Sequence, residues 1–296
     1  MLNFAFLTEL HIMKKFFCII ISAVLLHTSY HMSAQTASSL FWRSDSLQVA
    51  EIVSETGDQY RKTGHHGPAV ENSHMALRIY FNDSGAIDLY SKNGRGMELE
   101  RYLWYPSAED RESYGAGCDA YIVGKTVGFG GIALWDGEKE VKLVATKGRT
   151  ARVGNTKKGS FTEVIAYGVE YCGGLVDICI RIDVVDKSRT AVLTANELSG
   201  QKVQFLTGVN YHSGQKVAYG EGYISVWGAH PAKDLSMPIG AGLKFSAKDF
   251  PSIEQTEDMV RIVSRPDDQI KTTLVGASAM EAELNNAKRF EAYMAK

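Results

Sequence analysis

The sequence is poor in three features that would assign it to a familiar class: cysteine, metal-binding cysteine pairs and runs of basic charge. It has only 4 cysteines and no Cys-x-x-Cys motif, which argues against a zinc site made of thiolates. Three of them, Cys118, Cys172 and Cys179, follow the N-terminal segment, and an odd number cannot all pair, so this is not a disulfide scaffold. A bridge between Cys172 and Cys179 stays open. With 32 basic against 34 acidic residues and no basic run, the composition argues against nucleic-acid binding.

The N-terminal 34 residues have the pattern of a secretory signal peptide. A basic start around Lys14 precedes an apolar stretch over residues 16–26 and a more polar region that ends in small residues. Met13 is then the expected start and Gln35 the first mature residue. The apolar stretch is shorter than the roughly 20 residues that a membrane span needs. We therefore expect a periplasmic or secreted protein without a membrane span.

The rest of the chain, residues 35–296, has no Pro/Ser-rich linker and no repeat, and we expect a single domain. Apolar residues recur with the two-residue period of strands, and Gly- and Asn-containing turns separate many of these segments. The predicted fold is all-β, a large antiparallel β-sandwich with one short C-terminal helix over residues 279–295. The predicted strands cover residues 47–53, 70–81, 86–90, 119–123, 139–146, 161–171, 175–185, 190–195, 202–209, 216–227, 239–245, 258–264 and 271–277.

One predicted strand, residues 70–81, has two chemically different faces. Its apolar set is Met75, Leu77, Ile79 and Phe81, and its polar set is Asn72, His74, Arg78 and Tyr80. A strand sends alternate side chains to opposite faces, so one face would pack in the core and the other would line a polar surface. The 175–185 segment repeats this pattern, and a polar face curved into a cleft would explain both. The alternative is a polar face that only meets solvent.

Histidines concentrate just before this strand. His65 and His66 lie in a Gly64 to Pro68 loop, and His74 and Glu71 follow within the strand. Imidazole and carboxylate groups suit zinc, so a divalent metal is one interpretation, although we expect no cofactor.

A second unusual stretch, residues 102–137, mixes glycines with aromatic residues around Asp119. Tyr114, Tyr121 and Trp135 belong to it. Aromatic rings stack on the apolar faces of sugars, and glycines let the backbone approach a ligand closely. The same composition also builds β-bulges and sandwich cores, and that alternative stays open.

The chain has no Gly-x-Ser-x-Gly motif for a nucleophilic serine. Chemistry on an acidic sugar needs an Arg or Asn to hold the carboxylate and a His, Tyr, Asp or Glu to move a proton. We therefore predict His66 or His74 as the base and Glu71 or Asp119 as the acid. The predicted substrate-binding residues are His65, Asn72, Arg78, Tyr80, Tyr114, Tyr121, Trp135, His212 and His230, the last two from loop ends that could converge on the same cleft.

Three segments carry a resemblance to a known family. They are Val70-Glu-Asn-Ser-His-Met-Ala-Leu-Arg-Ile-Tyr80, Tyr114-Gly-Ala-Gly-Cys-Asp-Ala-Tyr121 and the stretch from Val123 to Trp135. They resemble a family of exported bacterial proteins from polysaccharide-degrading systems, some of which are described as unsaturated glucuronyl hydrolases. Where that family has Glu-Asn-Asp-Arg, this chain reads Glu71-Asn72-Ser73-His74.

The resemblance implies a glycan context, and by analogy of fold it suggests a mutarotase-like sandwich or supersandwich. We expect a glycan-active enzyme that processes a uronic-acid oligosaccharide or polysaccharide by hydrolysis or β-elimination. The alternatives are a carbohydrate-binding protein without catalysis and a sugar mutarotase or epimerase.

Overall fold

The computed structural model describes residues 36–55, 57–231 and 237–296; the predicted signal peptide lies outside them. The described residues form strands β1 Thr36–Ser39, β2 Glu51–Ser54, β3 Ala69–Asn72, β4 Met75–Ile79, β5 Ile87–Ser91, β6 Ala133–Trp135, β7 Glu140–Val141, β8 Arg149–Asn155, β9 Gly159–Tyr171, β10 Gly174–Val185, β11 Ala191–Glu197, β12 Phe205–Asn210, β13 Lys216–Gly220, β14 Tyr223–Gly228, β15 Ile239–Lys244, β16 Ile253–Gln255, β17 Met259–Val263 and β18 Gln269–Ser278. The helices are α1 Leu99–Tyr102, α2 Ala108–Tyr114 and α3 Ala287–Met294. Within these described ranges, no helix is long and apolar enough to cross a membrane.

The strands form three antiparallel sheets. The largest has nine strands in the order β13-β14-β15-β18-β11-β10-β9-β8-β2. A four-stranded sheet, β1-β3-β4-β5, and a five-stranded sheet, β16-β17-β12-β6-β7, pack against it. One apolar core fills the space between the large sheet and the two smaller ones. This arrangement confirms the predicted large antiparallel β-sandwich.

The centre of the large sheet follows directly from the two-residue alternation. In β10 the inward residues Val176, Ile178, Ile180, Ile182 and Val184 are all buried. The outward residues include Arg181 and Asp183, which form an ion pair at 2.8 Å between Nε and Oδ2. This face carries surface ion pairs, and the cleft described below forms on a different sheet.

The β9–β10 hairpin turns at Cys172 and Gly173, which both have left-handed φ angles, 48° and 81°. Tyr171 and Gly174 are therefore the last paired residues, one position earlier than a Gly173-Gly174 turn would give. Cys172 is exposed and Cys179 is buried, and both are free thiols, so the bridge considered from the sequence does not form.

The segment predicted as one strand over residues 70–81 is a hairpin. Asn72 Oδ1 accepts from the backbone N–H groups of His74 and Met75, at 2.8 and 3.0 Å, and this local bonding turns the chain between β3 and β4. After the turn the predicted alternation holds, since Met75, Leu77 and Ile79 are at most 1% exposed and face the core.

Other strand predictions were wrong in smaller ways. Residues 216–227 also form a hairpin, β13–β14, and residues 119–123 form a loop rather than a strand. The prediction missed β1, β6, β8 and β16, whose short or polar sequences show little alternation.

The C-terminal helix is confirmed but is shorter than predicted. Asn286 caps α3 by accepting from the Arg289 N–H at 3.0 Å. Phe290 and Met294 pack on the outer face of the large sheet against Trp227, where Gly240 and Gly242 leave room for them. The two short helices α1 and α2 were not predicted, and α1 shapes the site.

Candidate active site

A buried ion pair on the four-stranded sheet forms the base of the site. Arg78 in β4 and Asp88 in β5 are directly opposite each other, and their side chains are 3% and 1% exposed. Arg78 donates to Asp88 Oδ2 through both Nε, at 2.9 Å, and Nη2. Burial alone would lower the pKa of Arg78, but the carboxylates of Asp88 and Asp119 outweigh it and raise that pKa. Arg78 is therefore a permanent cation fixed by the sheet.

Two tyrosine hydroxyls form hydrogen bonds with this ion pair, one as a donor and the other as an acceptor. Tyr80 donates its hydroxyl proton to Asp88 Oδ2 at 2.8 Å. Tyr105 accepts a hydrogen bond from Arg78 Nη1 at 2.8 Å, which leaves its own proton available to a ligand. Burial raises the pKa of both phenols, and at Tyr105 the charge of Arg78 opposes this rise.

Tyr105 reaches the sheet because the backbone has an unusual conformation just after α1. Leu103 and Trp104 both adopt left-handed φ angles, 47° and 76°, which side-chain-bearing residues rarely do. The turn places the buried Trp104 ring 4.3 Å from the guanidinium carbon of Arg78, a cation–π contact.

The loop that carries His66 also contains two consecutive residues in the left-handed conformation. His65 and His66 have φ angles of 53° and 61°, two consecutive left-handed residues without glycine. Gly67 follows, and a Cβ atom there would lie 2.0 Å from the carbonyl oxygen of Ile79. Strained backbone of this kind is concentrated at functional sites in proteins.

His66 is held in one orientation by Tyr60. The two rings stack with centroids 4.0 Å apart and planes within 8°, and His66 Nδ1 lies 2.9 Å from the Tyr60 carbonyl oxygen. A carbonyl only accepts, so Nδ1 carries the proton and Nε2 keeps its lone pair. Arg43 Nη2 lies 3.2 Å from Nε2. Burial lowers the pKa of His66 below its usual 6.5, so the ring is neutral at neutral pH.

These groups surround an open cavity of about 520 Å³. Its wall is completed by the loop from Asp119 to Gly124, in which Asp119 Oδ1 lies 3.6 Å from Arg78 Nη2. The His66 and Tyr105 rings are neighbours in the cavity lining, edge to face with centroids 6.3 Å apart. A neutral imidazole, a protonated phenol and two guanidinium groups thus face one space.

The structure brings together five of the residues predicted for the site. His66, Arg78, Tyr80, Asp119 and Tyr121 all line the cavity. Tyr121 is nearly fully buried in the wall, and its hydroxyl donates to Asn210 Oδ1 at 2.5 Å.

Glu71, predicted as a candidate acid, is elsewhere. Its carboxylate is fully buried, pairs with Lys92 Nζ at 2.7 Å and accepts from the backbone N–H groups of Glu98 and Leu99 at the start of α1. Glu71 shares the polar face of the sheet with Arg78, but α1 and Trp104 cover the part of the face between them. We do not retain Glu71 as a catalytic group.

His74 and Asn72 are also separated from the cavity. His74 lines a smaller hollow with Arg95 and Arg189, and Asn72 bonds within its own turn. Burial, with help from Arg189, lowers the pKa of His74 to about 4. His66 therefore remains as the candidate base.

His65 faces away from His66. Its Nε2 lies 2.9 Å from Ser39 Oγ, and burial lowers its pKa to about 3. His65, His66, His74 and Glu71 occupy separate environments, so they do not form the single metal-ligand set considered from the sequence.

His212 and His230 converge, as predicted, but behind the cavity wall. Their rings are 4.8 Å apart, and both hold the backbone of Ile122, His230 Nδ1 by accepting from its N–H at 3.0 Å. They support the wall that Ile122 and Tyr121 form and do not line the cavity.

Tyr114 and Trp135 do not line this cavity. Tyr114 is 62% exposed on α2, and the Trp135 ring packs against Arg261, with 4.8 Å between ring centroid and guanidinium carbon. The sequence analysis did not assign four polar cavity residues to the site, Arg43, Tyr60, Asp88 and Tyr105. Two of these left a signal, Asp88 as a lone charge among the apolar residues of β5 and Tyr105 as a member of the aromatic stretch over residues 102–137.

The model of a family described as a domain of unknown function, DUF4861, matches residues 27–296. The chain belongs to this family. A search of curated proteins gave no match.

Two solved structures show a distant likeness. A 4-alpha-glucanotransferase from Thermococcus litoralis aligns with 72% of this chain and 39% of its own at 10% identity, with a TM-score of 0.36. A polysaccharide lyase aligns with 75% of this chain and 34% of its own at 12% identity, with a TM-score of 0.29. The aligned part is thus well under half of either of those proteins.

Proposed function

We propose that this chain is an exported, glycan-active enzyme that cleaves an acidic oligosaccharide by β-elimination at a uronic-acid residue. The observation that carries the proposal is the juxtaposition of His66 and Tyr105 in the lining of one cavity, where His66 can take a proton and Tyr105 can give one. Elimination needs such a pair and a cation for the sugar carboxylate.

His66 is the base. Its Nδ1 donates to the Tyr60 carbonyl, and Arg43 Nη2 lies 3.2 Å from its Nε2. Once Arg43 binds the substrate carboxylate, the lone pair on Nε2 is free to remove the proton at C5 of the uronate. The lowered pKa keeps the ring neutral at neutral pH, which is the form that a base requires.

Tyr105 is the acid. Arg78 donates to its oxygen, so the phenol proton points away from Arg78 and toward a ligand. The Tyr80 proton is already donated to Asp88, which makes Tyr80 a less suitable donor.

Arg43 is the group that best suits the substrate carboxylate. It donates to the Thr63 carbonyl at 3.0 Å and contacts His66, and neither partner carries a negative charge. The charge of Arg78, by contrast, is already matched by Asp88. A carboxylate bound by Arg43 would acidify the neighbouring C5 proton beside Nε2 of His66.

The reaction balances without water. The C5–H bond breaks and its proton passes to His66 Nε2, while the C4–O bond breaks and the leaving oxygen takes the proton of Tyr105. The electron pair of C5–H becomes the C4=C5 double bond. Transfer from His66 to Tyr105 through solvent restores both groups.

Hydrolysis by a carboxylate pair is less well supported. Asp88 and Asp119 are the carboxylates that line the cavity, and Asp88 already accepts from Arg78, Tyr80 and the Leu89 N–H. A hydrolase needs two carboxylates that are able to exchange protons or attack the sugar.

A substrate screen tests the proposal. Purified protein is incubated with polymers and oligomers of glucuronic, galacturonic and mannuronic acid, with neutral glycans of the same backbone length as controls. We expect a rise in the ultraviolet absorbance of a 4,5-double bond on an acidic glycan only. New reducing ends without that absorbance would indicate a hydrolase, and binding without either would indicate a carbohydrate-binding protein.

The pH dependence gives a second prediction. The rate requires neutral His66, so it rises with pH through a pKa that burial has lowered below 6.5. It also requires protonated Tyr105, so it falls only above a pKa that burial has raised beyond 10.0. We expect kcat/KM, which reports the ionisations of the free protein, to be level between these two values, and an acidic limb centred above pH 6.5 would contradict the assignment of His66.

A further inference from the structure

A second depression shares Tyr60 with the cavity. Its volume is about 260 Å³, and Tyr60, Arg61, Lys62 and Asn82 contribute to its lining. Tyr60 belongs to both spaces, so a chain that occupies the cavity can continue past the tyrosine ring into the depression. Aromatic rings in such positions commonly support successive sugars.

The boundary between the two spaces carries like charges side by side. Trp42 and Thr63 form an antiparallel bridge, and the Arg43 N–H donates to the Lys62 carbonyl at 2.9 Å. Arg43 and Lys62 are therefore neighbours on adjacent segments, and Arg43 lines the cavity while Lys62 lines the depression. Arg61 adds a third cation at the depression. A bound chain that carries successive anions would meet these cations in turn.

These three cations are not neutralised within the protein. In the part of the chain that the structure describes, none of Arg43, Arg61 and Lys62 forms an ion pair with a carboxylate. One carboxylate, Asp58, lies at the depression, where its Oδ1 accepts from the Tyr60 N–H at 2.9 Å and holds the turn. The residues that line the depression therefore carry a net positive charge.

We propose that this depression is a second subsite, which binds the acidic group of the sugar that adjoins the reacting uronate on the side away from the cleaved bond, a sugar that a dimer lacks and a trimer has. This inference rests on the proposed function and narrows its substrate class to glycans with acidic groups on consecutive sugars. Arg43 binds the carboxylate at the reacting sugar, and Arg61 and Lys62 bind the carboxylate or sulfate of its neighbour.

The test compares chain lengths in a variant that lacks both subsite cations, Arg61→Ala/Lys62→Ala. Uronic-acid dimers, trimers and tetramers are titrated by calorimetry and assayed for turnover, together with sulfated neutral oligomers of the same lengths. We expect wild-type affinity to rise with length, and the variant to lose roughly 3- to 30-fold in affinity for the longer oligomers, as two partly exposed ion pairs would give. If the variant loses affinity only for the sulfated oligomers, the subsite binds sulfate. If it loses affinity only for the uronic-acid oligomers, the subsite binds carboxylate.

A matched control is Lys157→Ala/Lys158→Ala, which removes two adjacent exposed cations from the turn between β8 and β9. It should bind every oligomer like the wild type. Equal losses in both variants, or no dependence on length in the wild type, would overturn the subsite. Calorimetry on the His66→Ala variant measures oligomer binding without cleavage. If the oligomers bind with this length dependence but the wild type never cleaves them, the elimination is refuted and the subsite is retained.

Discussion

Replacing His66 with Ala, or Tyr105 with Phe, is expected to lower kcat on the substrate found by the screen by about 10²- to 10⁴-fold, the usual effect of removing a proton-transfer group. His66 donates through Nδ1, so Nε2, beside Arg43, is its basic nitrogen, and Tyr105 accepts from Arg78 and keeps its proton for the leaving oxygen. Tyr105→Phe should also remove the alkaline limb of the pH profile. Steady-state kinetics on both variants measure these effects.

Two control variants change the same residue types outside the cavity. His74→Ala removes a histidine of the smaller hollow, and Tyr114→Phe removes the hydroxyl of an exposed tyrosine of α2. Both should keep kcat within about twofold of the wild type. If His74→Ala abolishes turnover while His66→Ala does not, the cavity around Arg78 is not the active site.

Replacing Lys92 with Met is expected to lower the free energy of unfolding by about 3–5 kcal/mol, the cost of leaving one member of a buried ion pair alone. Lys92 and Glu71 side chains are both 0% exposed. Without Lys92 the Glu71 carboxylate keeps only the backbone N–H donors of Glu98 and Leu99. Urea unfolding followed by tryptophan fluorescence measures the change, which is large against a typical stability of roughly 5–15 kcal/mol.

The matched control is Arg152→Met, which breaks the exposed ion pair with Glu51, each side chain being 44% exposed. Such surface pairs contribute about 0–1 kcal/mol. If Lys92→Met is as mild as Arg152→Met, the Glu71–Lys92 pair does not stabilise the region that supports α1.

The architecture could be predicted because burial on one face imposes a two-residue period on long strands. β10 shows this period over its whole length, and its inward residues are all in the core. The prediction failed where that constraint is weak. β8, Arg149–Asn155, has little apolar alternation, and α1 is a single turn. α2 did leave a signal, since Ser107 and Asp110 form a capping box at its start.

Only part of the site could be predicted, because it depends on contacts between distant segments. Arg78 and Tyr80 followed from alternation within one strand. Arg43 and Tyr105 reach the cavity through left-handed turns and long-range hydrogen bonds, which leave no periodic pattern. The separation of Glu71 from the cavity could not be predicted, because α1, which covers it, was not recognised in the sequence.

The most direct test of the account is the origin of the oxygen atoms in the products. The protein is incubated with its acidic oligosaccharide in water labelled with heavy oxygen, with the His66→Ala variant as the negative control, and the products are analysed at once by mass spectrometry. Elimination predicts an unsaturated product that lacks one water and no label in either fragment. A saturated product that carries one labelled oxygen would show hydrolysis and contradict the roles assigned to His66 and Tyr105.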